Sequence, residues 1–256
     1  MDYQGIPLDE VVRLARRAGE AALEFYDREL AVELKADDTP LTAADRASHE
    51  VLAEGLALIK PVLPVLSEEG RAIPFEERSG WRRFWLTDPL DGTKEFIKHN
   101  GEFTVNVALI EEGRAVWGVV VAPALGISYW GGLGLGAMRS ADGEPPIRIS
   151  TVSAAEGEGL VVVKSRSHPS PELDGYLAGL KIAAEVEAGS SLKFCRVAEG
   201  AAHLYPRFGP TMEWDTAAGQ AVLEGAGGRV LTIEGEPLGY NRINQRNGPF
   251  VADSGG

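Results

Sequence analysis

From residue 8 to about residue 30 apolar side chains recur at helical spacing, Val11, Leu14, Ala15, Ala18, Ala22, Phe25 and Tyr26, with charges between them. A stripe of that period predicts an amphipathic helix with one buried face. The polar run at 35–40, which ends in Pro40, breaks the pattern, and Thr42 stands as the cap of a second helix reaching about Lys60. Beyond Pro61 the period shortens. Residues 62–66, 84–87, 103–110 and 115–121 read as strands, the last two joined by a turn at Glu112-Gly113. Together these predict an α+β fold with a large, mainly antiparallel sheet flanked by helices.

Residues 126–146 are rich in Gly and Pro, and a new apolar strand begins at 160–163, so a boundary is expected near residue 152. It divides the chain into an N-terminal α+β domain, 1–152, and a C-terminal α/β domain, 153–256. Helices are expected at 173–180 and 215–226, the second stopped by Gly227-Gly228. Gly131, Gly132, Gly134 and Gly136 lack the third glycine and the ribose carboxylate of a dinucleotide fingerprint, and read as a turn.

With 256 residues, 44% of them hydrophobic, the chain can bury one large core or two smaller ones, as an ordinary soluble globular protein does. No run approaches the roughly 20 apolar residues of a membrane span, and Met1-Asp2-Tyr3-Gln4 lacks the layout of a signal peptide, so a cytoplasmic location without membrane insertion is expected. The one cysteine, Cys195, excludes an intramolecular disulfide and a thiolate metal cage, and reads as a small buried residue. A formal charge of −13 argues against a nucleic-acid polymer as partner. The same surplus repels any phosphate substrate unless bound cations or a local group of Lys and Arg reverse the field.

The candidate chemistry lies at the ends of elements. An apolar run ends in Asp88-Pro89-Leu90-Asp91-Gly92-Thr93, where proline and glycine bend the chain so that two carboxylates and the Leu90 carbonyl can converge as hard oxygen ligands of the kind Mg²⁺ takes. A simple turn also accounts for Asp-Pro and Asp-Gly. Glu68-Glu69 follows a strand-like segment and can be a solvated loop; Asp45 stands three residues after Thr42, the spacing of a capping box; Asp215 opens an apolar helix and can be an N-cap. Each has a structural reading alone, but side chains at element ends can meet around one cleft.

Glu68-Glu69, Asp88-Pro-Leu-Asp91-Gly-Thr93 and Trp214-Asp215-Thr-Ala-Ala-Gly219 together resemble the paired signatures of the inositol-monophosphatase and fructose-bisphosphatase superfamily. Lys94-Glu-Phe-Ile, Ser165-Arg-Ser-His168, Gly189-Ser-Ser-Leu-Lys-Phe-Cys195 and Leu204-Tyr-Pro-Arg207 are similar to its CysQ-type 3'(2'),5'-bisphosphate nucleotidase branch, where the inositol branch usually has Thr-Asn-Phe in place of Lys94-Glu95-Phe96. The pattern is lost at 131–136 and from about Gly239 onward.

The resemblance implies a layered α/β/α/β/α sandwich with a second, smaller sheet, and a Mg²⁺-dependent phosphatase acting on adenosine 3',5'-bisphosphate. It assigns one ion to Glu68, Asp88 and the Leu90 carbonyl, and another to Asp88, Asp91 and Asp215. A weaker third ion would sit near Glu68 and Glu69. Asp45 and Thr93 would orient the attacking water, while substrate contacts fall on Gly92, Thr93, His168, Ser190, Lys193, Arg207 and Asp215. It also implies inhibition by Li⁺. Ordinary surface charge accounts for Lys193 and Arg207 without it. The same fold also serves phosphatases of inositol monophosphate, fructose 1,6-bisphosphate and NADP, so these stay open. A non-catalytic Ca²⁺-binding module has no need of the Asp45–Thr93 pair, and a two-metal nuclease does not suit the charge. A homodimer is left open.

Overall fold

The computed structural model describes residues 2–26, 33–34, 40–41, 43–166 and 170–255. Helices Leu8–Leu23 and Ala43–Leu58 pair with one another and cover one face of a seven-stranded sheet. In spatial order its strands are Ile147–Ile149, Gly136–Ala141, Ile127–Gly132, Arg114–Ala122, Thr104–Glu111, Arg83–Asp91 and Val65–Ser67. All neighbours are antiparallel except the last pair, where Val65 lies parallel beside Trp85. The expectation of a mainly antiparallel sheet holds.

Both faces of this sheet are buried, which is why its strands read as continuous apolar runs rather than alternating ones. Side chains still sort by the period of two. Trp85, Val105, Val107, Leu109, Trp117 and Val119 face the helix pair. Phe84, Leu86, Ala108, Ile110 and Val120 face the other way, onto Phe194, Ala217, Ala221 and Val222 of helices Leu192–Ala198 and Glu213–Gly225. Beyond those helices lies a five-stranded sheet, ordered Ile182–Ala188, Leu160–Ser165, Leu204–Arg207, Phe250–Asp253, Arg229–Thr232. Helix Pro171–Leu177 closes its outer face through Leu173 and Leu177 against Val162 and Leu204. The layers run α/β/α/β/α. No helix among the described residues is long and apolar enough to cross a membrane.

Several boundaries differ from the sequence expectation. The first helix ends at Leu23 rather than near residue 30, because Tyr26 leaves the helical path to pack edge-on against Phe96 at 5.0 Å and to accept a hydrogen bond from Gly101 N. The second ends at Leu58; its expected cap, Thr42, is outside the described residues. The strand expected at 62–66 is Val65–Ser67, with Val62 exposed. The glycine-rich turn is the tip of a hairpin between Ile127–Gly132 and Gly136–Ala141. Glycine is used there for closeness: a Cβ on Gly225, at the end of helix Glu213–Gly225, would lie 2.7 Å from both Gly132 N and Gly136 O. The unassigned C-terminal tail supplies Phe250–Asp253, an interior strand.

Gly118 sets the seat of helix Glu213–Gly225 on the large sheet, since a Cβ there would stand 2.6 Å from the Ala218 carbonyl oxygen and 2.7 Å from its Cα. Backbone cannot yield as a side-chain tip does. Gly118→Ala is therefore expected to destabilise the protein by about 1–3 kcal/mol, the usual penalty for overpacking. Urea unfolding checks this, through a lower midpoint at unchanged slope; an unchanged midpoint would mean that the helix seat is loose.

Candidate active site

The strand Arg83–Asp91 carries the first two carboxylates at its end, and a break in register aims them. Asp88 opposes Asn106, but Asp91 opposes Thr104, so the strand advances three residues while its partner advances two. In a regular strand positions three apart face opposite sides; one inserted residue returns them to the same side. Pro89, which has no N–H to give the ladder, sits in the bulge. Leu90 N donates to Asp88 Oδ1 at 3.1 Å, and Ser48 Oγ on helix Ala43–Leu58 donates to the Pro89 carbonyl at 2.6 Å, fixing the bulge from within and from behind.

Gly92 follows at φ +91°, in the left-handed region that glycine tolerates, and a Cβ there would fall 2.1 Å from Ser190 Oγ. The chain then enters helix Thr93–Ile97. Ser190 Oγ donates to the Asp91 carbonyl at 2.8 Å, which ties this turn to the loop before helix Leu192–Ala198. The third carboxylate comes from helix Glu213–Gly225, where Asp215 Oδ2 accepts from Met212 N at 2.8 Å. Asp215 is therefore not the N-cap itself, which is Met212; it stands at the third helical position, bonds back to the N-cap backbone, and also reaches the cluster. Carboxylate oxygens of Asp88, Asp91 and Asp215 all lie within 4.8 Å of one another.

Such closeness is electrostatically unfavourable. Burial pushes the Asp88 carboxyl well above the usual carboxylate range, and Glu68, Asp91, Asp215 and Asp45 push it further in the same direction. Burial and the neighbouring Asp91 do the same to Asp215. For Asp91 burial again raises the value, while Lys193 and the Ser191 hydroxyl act against it. An all-oxygen set of crowded, buried carboxylates fits a hard divalent cation, whose charge would turn their mutual repulsion into attraction.

The same cleft, of about 380 Å³, is lined by Glu68, Leu90, Gly92, Thr93, Ser190, Lys193 and Arg207 besides the three aspartates. Lys193 and Arg207 are not surface charges; they are 6% and 8% exposed. Lys193 Nζ donates to the Ser190 carbonyl at 2.6 Å and stands 5.6 Å from the Tyr205 ring centre. Burial lowers its pKa to about 8, with Asp91 pulling the other way. Arg207 Nη2 donates to the Pro210 carbonyl at 3.2 Å, while its buried Nε has no hydrogen-bond partner. A nearly buried guanidinium in the lining of a cleft suits an anionic ligand.

Of the other expected residues, Asp45 is buried in the first turn of helix Ala43–Leu58, away from the cleft lining but close enough to act on Asp88. Glu69 is half-buried beside Glu68 and does not line the cleft; His168 lies outside the described residues. Cys195 is fully buried and its thiol is pushed up by burial, in keeping with a packing role. Sequence reading missed Glu95, Ser165 and Tyr205 in the cleft wall, and Asn106 and Ser191 behind the carboxylates. Asn106 had a signal: it is the lone amide in the apolar run Val105-Asn-Val-Ala-Leu-Ile110.

Residues 7–253 match the inositol monophosphatase family. The 3'(2'),5'-bisphosphate nucleotidase CysQ of Salmonella typhimurium is 49% identical over 235 residues, which cover 91% of this chain and 93% of that protein. The crystal structure of CysQ from Bacteroides thetaiotaomicron superposes with a TM-score of 0.84 at 38% identity, covering 97% of each chain. The Thermotoga maritima IMPase does so with a TM-score of 0.79 at 25% identity, over 97% of this chain and 92% of that one. With the fold, the bulged carboxylate turn and the sequence match in agreement, the chain belongs to the inositol monophosphatase family.

Proposed function

We propose that this protein is a Mg²⁺-dependent phosphomonoester hydrolase that removes the 3'-phosphate of adenosine 3',5'-bisphosphate, giving AMP and phosphate. The observation that carries the reading is one cleft holding both a carboxylate cluster within 4.8 Å and two buried cations, Lys193 and Arg207. The 49%-identical relative, itself a 3'(2'),5'-bisphosphate nucleotidase, supports the substrate.

Glu68, Asp88 and the Leu90 carbonyl would hold one ion, and Asp88, Asp91 and Asp215 a second, with Glu68 and Glu69 offering a weaker third position. Bound Mg²⁺ supplies Lewis acidity, polarising phosphate oxygens and lowering the pKa of water. Thr93, at the start of its short helix and in the cleft lining, would orient the attacking water, with Asp45, buried in the first turn of helix Ala43–Leu58, as the partner that would take up its proton through Thr93. Water adds to phosphorus, the bond to the 3'-oxygen breaks, and that oxygen leaves with a proton. Gly92, which lines the cleft, lets the Ser190 loop approach the carboxylate turn. Ser190, Lys193 and Arg207, which line the cleft, hold the nucleotide and its spectator 5'-phosphate together with His168. In this reading residues 1–152 carry most metal ligands, and 153–256 carry the nucleotide contacts and Asp215.

Chelation with excess EDTA is expected to abolish turnover, and Mg²⁺ to restore it, because the crowded carboxylates that line the cleft are a ligand set for a divalent cation and no cysteine is among the described residues of its lining. Full activity in excess chelator would sink the mechanism.

Asp88→Asn keeps the shape of the buried side chain and its acceptor for Leu90 N while removing one of the crowded charges. Without metal the variant is expected to melt at or above the parent's temperature, yet to gain almost nothing when Mg²⁺ is added, since metal stabilises only what it binds. A variant melting far below the metal-free parent would make Asp88 a structural residue.

Arg207→Ala removes an always-ionised donor, so the bisphosphate is expected to lose about 1.5–3 kcal/mol of binding, the scale of a hydrogen bond to a charged group. That is roughly one to two decades in kcat/KM. Adenosine 3'-monophosphate lacks the spectator phosphate and should lose far less. Measuring kcat/KM for both nucleotides, with inositol 1-phosphate, fructose 1,6-bisphosphate and NADP alongside, ranks the substrates; equal losses on the two nucleotides would remove the physical support for the bisphosphate.

A further inference from the structure

Ser191 occupies the N-cap position of helix Leu192–Ala198, where a serine hydroxyl ordinarily accepts a hydrogen bond from the first turn of its own helix. Here it makes no such bond. The hydroxyl is turned instead to the carboxylates: Oγ lies 3.1 Å from Asp91 Oδ2 and 2.9 Å from the Asp215 carbonyl oxygen. Asn106 Nδ2 donates to the same Oγ at 2.8 Å, and both residues are 1% exposed. Asn106 stands directly across the ladder from Asp88. One hydroxyl therefore touches the bulge that carries Asp91 and the helix turn that carries Asp215, and its anchor belongs to the strand that faces Asp88.

The proton count gives the arrangement a direction. Ser191 has one proton, and Asn106 supplies the bond it accepts, so that proton is left for Asp91 Oδ2 or the Asp215 carbonyl; the charged carboxylate is the stronger acceptor. Turning the amide over would bring Asn106 Oδ1 to the hydroxyl, where it would take the only proton and leave bare lone pairs facing both aspartates. Asn106 Oδ1 remains buried without a hydrogen-bond partner, so the amide is oriented for Ser191 at its own expense.

We propose that Ser191, held by Asn106, is a positioning residue that sets the spacing and orientation of Asp91 and Asp215 for a divalent cation. The inference rests on the metal reading of the cleft. Outer-shell partners of ligating carboxylates usually change metal affinity about 10–100-fold when removed.

The test titrates metal-free protein with MnCl₂, reads unbound Mn²⁺ by its electron paramagnetic resonance signal, and records the metal-free melting temperature of each variant. Ser191→Ala is expected to weaken Mn²⁺ binding about 10–100-fold while melting near the parent's temperature. Asn106→Ala should weaken binding in the same sense but less, and it carries the test alone if Ser191→Ala does not fold. The double variant should bind no more weakly than Ser191→Ala, because the amide acts through the hydroxyl. Parent-like binding by Ser191→Ala or a lower melting temperature with unchanged binding overturns the inference and leaves the metal reading intact, whereas a parent that binds no Mn²⁺ overturns both.

Discussion

The crowding of Asp88, Asp91 and Asp215 is the constraint on which the rest of this structure depends. Three carboxylates within 4.8 Å, in a cleft where burial and mutual repulsion both penalise their charged forms, do not assemble by preference. Each is held by backbone or by buried polar groups: Asp88 by Leu90 N, Asp91 through the bulge and Ser191, Asp215 by Met212 N. The stability stored in two sheets and their helices is what keeps an unfavourable charge arrangement in place, and a bound cation is the partner that would relieve it.

That burden explains why the layers meet so closely. Helix Glu213–Gly225 brings Asp215 to the cluster only because Gly118 beneath it and the glycines of the neighbouring hairpin leave no side chains in the way. From the other side, Ser48 on helix Ala43–Leu58 grips the Pro89 carbonyl. The loop holding Ser190 and Ser191 joins the second sheet to the same turn through the Asp91 carbonyl and carboxylate. A displacement of any one layer therefore moves a carboxylate, and this coupling of packing to site geometry follows from three ligands being drawn from two separate elements.

The formal charge of −13 is compatible with an anionic ligand because the relevant field is local. Lys193 and Arg207 are buried beside the carboxylates, where solvent screens them little, while the acidic surplus is spread over the surface. Lys193 loses proton affinity through burial but is held up by Asp91, so the cluster and the cations sustain one another.

Much of this was legible in the chain itself. The helical period after Leu8, the strands around Phe84, Val105 and Val119, and the stop at Gly227-Gly228 are set by local side-chain patterning, which acts whatever the distant contacts are. The carboxylate turn was legible because proline and glycine impose their backbone angles locally. What lay beyond reach was decided between segments. The strands on either side of the turn at 131–136 were not legible because its glycines answer to Gly225 at the end of helix Glu213–Gly225, distant in sequence but in contact in space, and the strand Phe250–Asp253 has meaning only between its two partners. Helix Leu8–Leu23 stops early for aromatic contacts with Phe96 and Phe103. The burial of Lys193 and Arg207, and the diversion of the Ser191 hydroxyl from its own helix to Asp91, likewise appear only in three dimensions. Sequence determined which chemical groups were present and which local shapes they favoured; tertiary structure alone decided which of them share a cleft, because burial and hydrogen-bond partnership are properties of the packed chain and of no single segment.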